Sequence, residues 1–199
     1  MALLISVSAA GQTKADPTPI GQSVETIVCI RHGEKPSGGL GQLTVRGLNR
    51  ALALPKVLLG KYGTPQFVFA PNPTQKSDSG MYYYVRPLVT IEPTAIECGL
   101  PINTEFGYED IDGLEKELQN PHYQKSTVFI AWEHKYLDDF AKNLLKDNGG
   151  DPKLVAPWPG GDYDTIFVFK ITTINGQKTI SFTVDHEGLD GLSDAYPQK

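Results

Sequence analysis

Two apolar runs that end abruptly in ionisable residues set the strongest limit on this chain. Val24 to Ile30 (VETIVCI) passes straight into Arg31-His32-Gly33-Glu34, and Thr127 to Trp132 (TVFIAW) passes straight into Glu133-His134. Short runs of β-branched and apolar residues of this kind read as buried strands. A third, shorter run is Gln66 to Ala70 (QFVFA), and Leu100 to Asn103 is a fourth candidate. Between them lie helical patterns. Thr44 to Leu59 carries Leu48, Leu52, Val57 and Leu58, with Pro55 expected to kink or end the helix. Arg86 to Cys98 fits a helix with Pro87 in its first turn, where a missing amide proton does no harm, and Gly99 as its stop. Ile111 to Gln119 and Glu133 to Lys146 complete the set, the latter ending at Asn148-Gly149-Gly150. Asp151 to Asp164 is a Gly- and Pro-rich loop. Ile166 to Thr172 and Lys178 to Val184 flank Asn175-Gly176, a strong hairpin signal. Strands alternating with helices and closing in a hairpin predict an α/β sandwich with a mixed sheet.

Composition excludes several classes. The chain of 199 residues carries a net charge of −5, which argues against a general nucleic-acid binder. No apolar run approaches the roughly 18 to 20 residues that span a bilayer. Two cysteines, Cys29 and Cys98, are too few for a disulfide framework or a cysteine-based zinc site and read as free thiols. Residues 1–23 open with MALLISVSAA and continue as a polar stretch with Pro17 and Pro19. That pattern fits the apolar part of a secretory signal followed by a flexible segment, although no Lys or Arg precedes the apolar run. Periplasmic or secreted export is therefore an expectation if the segment is a signal, and a cytoplasmic location if it is not. Residues 24–199 form the expected folded domain.

In open α/β sheets, ligands bind outside the carboxyl ends of the strands. Arg31-His32 and His134 follow two such ends, and Arg86 opens a helix whose free amides and dipole favour an anion. A guanidinium is a fork for phosphate oxygens, and a neutral imidazole is a good nucleophile. Two arginines, two histidines and a helix end converging on one sheet edge suit a phosphoryl group. His122 and His186 have no such placement and read as surface residues.

In these residues the sequence resembles the histidine phosphatase superfamily, in its phosphoglycerate-mutase-like branch. The resemblance runs through most of the chain. It rests on Arg31-His32-Gly33-Glu34 after an apolar strand, Leu43-Thr44 with Gly47, Arg86 with Thr90, Glu105 with Gly107, and the late histidine His134. It implies a three-layer α/β/α sandwich with a mixed, mostly parallel sheet. It also implies a phosphohistidine intermediate, with His32 as nucleophile and Arg31, Arg86 and His134 around the phosphate. Glu105 is the expected acid and base, with Glu109 and Asp110 as rivals. No metal or other cofactor is called for, because side chains supply the cations. The expected substrate is a phosphorylated small molecule or a phosphoprotein. Phosphoglycerate mutase-type transfer, removal of phosphate from protein histidine and an inactive phosphate-binding module are the alternatives.

Overall fold

The computed structural model describes residues 21–77 and 80–197. Its elements are β1 (Gln22–Arg31), α1 (Val45–Tyr62), β2 (Phe67–Phe69), α2 (Arg86–Cys98), β3 (Ile102–Asn103), α3 (Ile111–Leu118), β4 (Thr127–Trp132), α4 (His134–Asp147), β5 (Thr165–Ile174) and β6 (Gln177–His186). Six strands form one sheet in the order β3-β2-β4-β1-β5-β6. The first four lie parallel, β5 runs antiparallel to β1, and β6 closes the hairpin on β5. This is the expected mixed sheet with a C-terminal hairpin.

Side chains alternate across a strand, so each buried strand feeds two cores. Ile27 and Cys29 of β1 join Val128 and Ile130 of β4 beneath Leu114 and Leu118 of α3 and Leu137, Phe140 and Leu144 of α4. Their neighbours Val28, Ile30, Phe129 and Ala131 pack on the other face against Leu54 and Leu58 of α1 and Ile91 and Ala95 of α2. The result is three layers, helices on both faces of the sheet. Both cysteines are free, Cys29 deep in β1 and Cys98 half-buried at the end of α2.

One expectation gives way. Pro55 neither ends nor divides α1, which runs on to Tyr62. Proline removes a single backbone bond in the helix interior, whereas Leu54, Pro55 and Leu58 are all buried on the core side of a helix of 18 residues. Pro93 is carried through α2 in the same way. The hairpin turn is as read: Asn175 and Gly176 both take positive φ (51° and 81°), as a two-residue type I′ turn requires. The N-terminal segment falls almost wholly outside the described residues, and β1 begins two residues ahead of Val24.

Candidate active site

The register of β1 on β4 pairs Arg31 with Trp132, and the His32 amide continues it by donating to the Trp132 carbonyl at 3.0 Å. Arg31-His32 and Glu133-His134 therefore leave the sheet side by side. Arg86 arrives from the first turn of α2, whose N-terminus is fastened to the same loop. Thr90 Oγ1 accepts from the Gly33 amide at 2.9 Å and donates to the Arg86 carbonyl at 2.8 Å. On the other side the loop lies against α1. A Cβ on Gly33 would come within 2.9 Å of the Gly47 carbonyl oxygen, and one on Gly47 within 2.5 Å of the Glu34 oxygen. Thr44 caps α1 by accepting from the Gly47 amide and also donates to the Glu34 carbonyl. The pattern of Thr44, Gly47 and Thr90 thus clamps the loop that carries His32.

The four residues expected to bind phosphate are all buried: Arg31 and His32 are 1% exposed, Arg86 4% and His134 7%. His32 Nδ1 stands 2.7 Å from the Gly33 carbonyl oxygen. A carbonyl can only accept, so Nδ1 carries the proton and Nε2 keeps its lone pair. Burial pushes the His32 imidazole down to about 3; the Gly33 bond opposes this and the Arg86 and Arg31 charges reinforce it. The ring is therefore neutral at ordinary pH.

The arginines are held by neutral groups. Arg31 Nη1 donates to the carbonyls of Gly160 (2.9 Å) and Asp162 (2.6 Å), and its guanidinium lies 4.0 Å over the Tyr163 ring. Arg86 Nη1 donates to the Gly39 carbonyl at 3.1 Å, with its guanidinium 4.5 Å over Tyr84. The Nε–H of each is buried with no acceptor among the described residues. Buried donors of this kind call for an acceptor, and a phosphoryl oxyanion matches them in charge and geometry. Tyr84 and Tyr163 also flank the His32 ring, at centroid distances of 6.1 and 6.0 Å.

The structure does not bring Glu105 to this group. Glu105 is exposed two residues beyond edge strand β3 and lines grooves beside Phe67, Tyr123 and the end of α3. Its charge acts on Tyr123. Asp110 is occupied as the cap of α3, accepting from the Gly113 amide, and Glu109 accepts from the Tyr136 hydroxyl at the rim. The carboxylate that does reach the site is Glu133, whose charge acts on both Arg31 and His32. Sequence reading took it only as the start of a helix. Tyr163 and the 157–163 loop were missed as well, and only its Trp-Pro-Gly-Gly run hinted at a specific shape. Glu34 is engaged on the α1 side, in a two-pronged pair with Arg50 (3.0 and 2.9 Å). His122 and His186 are exposed, as expected.

This architecture is the fold of the histidine phosphatases. No family model matches the sequence, and no curated protein matches it. Among solved structures it is similar to a chain assigned as the phosphohistidine phosphatase SixA of Nakamurella multipartitia, with 18% identity, a TM-score of 0.55, and coverage of 82% of this chain and 96% of that one. It is similar also to a mycobacterial glucosyl-3-phosphoglycerate phosphatase (14% identity, TM-score 0.54, 80% and 97% covered). A third is an Escherichia coli chain assigned as an alpha-ribazole-5'-P phosphatase (13% identity, TM-score 0.54, 88% and 99% covered). Among the described residues no helix is long and apolar enough to cross a membrane, and no three His, Cys, Asp or Glu side chains are grouped to hold a metal ion.

Proposed function

We propose that the protein is a phosphatase that hydrolyses phosphate monoesters, on a small molecule or a protein, through a phosphohistidine at His32. The observation that carries this reading is the His32 tautomer: Nδ1 is tied to the Gly33 carbonyl, and Nε2 is the unprotonated nucleophile. Arg31 and Arg86 take the equatorial phosphoryl oxygens, where charge gathers in the transition state, and His134 stands beside them at the same sheet edge. Attack by Nε2 forms the N–P bond as the ester P–O bond breaks. Water then attacks the phosphorus and restores the free ring. The charge of the transferring group is met by guanidinium and imidazole groups, so the reading expects turnover that survives EDTA.

The test is hydrolysis of p-nitrophenyl phosphate by the wild type and His32→Ala, with acid-labile and base-stable phosphoprotein trapped on the wild type. The expected result is a loss of about a thousandfold or more in His32→Ala at an unchanged fold. Retention of more than about a tenth of the wild-type rate overturns the assignment.

A further inference from the structure

We propose that Glu133 is a positioning residue, holding the Nδ1 proton of His134 so that Nε2 of that ring delivers the proton to the leaving oxygen. The inference rests on the phosphatase reading above and assigns the acid that Glu105 does not supply. Glu133 Oε1 lies 2.6 Å from His134 Nδ1, close but off the line of a well-aligned hydrogen bond. Catalytic hydrogen bonds commonly align only when substrate is bound. The other oxygen, Oε2, accepts from the Lys135 and Tyr136 amides at 2.8 and 3.3 Å and caps α4. Burial works against the Glu133 charge, yet the bond to His134 and the two amides hold its carboxyl below the usual range. An acid so well stabilised as an anion is a poor proton donor itself. It is well suited to fix the tautomer and orientation of the imidazole beside it.

The roles then divide cleanly. His134 enters protonated on both nitrogens. It gives the Nε2 proton to the ester oxygen as the P–O bond breaks and the bond from His32 Nε2 to phosphorus forms. The neutral ring, still protonated at Nδ1, takes a proton from water as the water oxygen bonds to phosphorus and the N–P bond breaks. Phosphate leaves and His134 returns to its starting state. The groups around His134 are Glu133 before it, Asp138 one turn along α4 and Arg31 and His32 from the end of β1; Arg86 from α2 acts on the His32 ring, and Glu109 is held by Tyr136 two residues on from His134. Asp138 takes the Trp158 amide on Oδ2 at 2.9 Å, burial raises its carboxyl, and its Oδ1 is buried without a partner among the described residues. Glu133 is the carboxylate within ion-pair distance of the His134 ring.

The experiment compares Glu133→Gln, which keeps an amide acceptor for the cap, with Glu133→Asp, which keeps the charge. Each is assayed for kcat and KM against pH on p-nitrophenyl phosphate and on an alkyl phosphate. Glu133→Gln is expected to lower kcat on the alkyl phosphate about tenfold or more and on the aryl phosphate much less, because a good leaving group departs without a proton. KM should hold, and the alkaline limb of the kcat profile should move to lower pH, with Glu133→Asp restoring it in part. An unmoved profile, equal slowing of both substrates, or a change confined to KM overturns the proposal. A second readout needs no variant. Ring 15N spectra of the wild type, which has four histidines to assign, should show His134 keeping its Nδ1 proton when the other nitrogen is free. The opposite tautomer overturns the proposal equally. Turnover by His32→Ala would instead sink the phosphatase reading itself, so the two failures are told apart.

Discussion

Two buried arginine sites stand on either side of the loop that carries His32, and they are built on opposite principles. Arg50 on α1 is wholly buried and meets four carboxylates: Glu34 at 2.9 Å, Asp164 at 3.4 Å, Glu187 at 2.5 Å and Asp190 at 3.1 Å. Arg31 and Arg86 meet backbone carbonyls and tyrosine faces. A guanidinium saturated by carboxylates has nothing left for a ligand. Its work is to bind together α1, the His32 loop through Glu34 and the C-terminal segment through Glu187 and Asp190. Arg46 with Asp194 and Asn49 with the Ser193 and Ala195 carbonyls extend the same seam. A guanidinium held by neutral groups is positioned without being neutralised, and keeps its charge for an anion. Burial pushes the Glu187 carboxyl up while Arg50 opposes it, so even the saturated site is a balance of costs.

The sharpest way to break this comparison is to remove one arginine from each site. Arg86→Ala is expected to cost about a hundredfold or more in kcat/KM, the usual loss when a transition-state charge partner is deleted. Its thermal midpoint should stay within about 2 °C of wild type, since only one neutral acceptor loses its donor. Arg50→Met should do the reverse. Leaving buried carboxylates without their cation costs about 3 kcal/mol, a fall of about 6–12 °C for a domain of this size. Turnover per folded molecule should change far less than in Arg86→Ala. Calorimetry and steady-state assays on both variants decide it. If Arg50→Met is stable but inactive, the two sites are not separable in the way described.

A second contrast runs along β1 itself, from Glu25 near its start to His32 just past its end, and it sharpens the comparison through pH. His32 is depressed from 6.5 to about 3 by burial, so its contribution to stability is complete above pH 6.5 and is lost as pH falls toward 3. Glu25 is raised by burial from 4.5 to about 7, with Lys178 opposing. Glu115 on α3 is raised to about 7 by burial, with the Asn143 bond opposing. Their contributions are complete below pH 4.5 and are lost as pH rises through 7. The thermal midpoint should therefore decline on both sides of a maximum, for different reasons. Glu25→Gln should flatten the decline between about pH 5 and 7 by several degrees. An acid-side decline unchanged in His32→Ala would show that other groups govern it.

What the sequence made legible follows from where the forces are local. Strands β1 and β4 are centred on apolar runs and the β5–β6 hairpin is marked by its Asn175-Gly176 turn, and their limits fall within a few residues of those read. The placement of Arg31, His32, Arg86 and His134 at one edge came from a general rule of open sheets applied to strand ends. The unread features depend on chain segments far apart. Arg31 is anchored by carbonyls 129 and 131 residues away, and Arg50 gathers carboxylates 16 to 140 residues distant. No periodicity or spacing encodes such meetings. Pro55 of α1 misled in the other direction, because tertiary burial of the helix face outweighed one lost bond.

Glu105 provides the smallest expected effect and the cleanest check on what position alone can tell. It follows a strand that is parallel to β1, so its place in the chain suited an acid that stands across the phosphoryl group from His32. That strand has only two residues and lies at the sheet edge, with two strands between it and β1. From there Glu105 turns toward Tyr123 and the end of α3, and its amide is taken by the Asn103 side chain at 2.9 Å. An exposed carboxylate in that setting contributes little to transition-state charge, because water screens it. Glu105→Gln should leave kcat within about twofold on both an alkyl and an aryl phosphate. Glu133→Gln should slow the alkyl phosphate selectively. The two variants assayed side by side on the same pair of substrates therefore separate proximity along the chain from proximity at the site. Selective slowing of the alkyl substrate by Glu105→Gln would return the acid to the edge strand and require the 103–108 loop to move toward His32 during turnover.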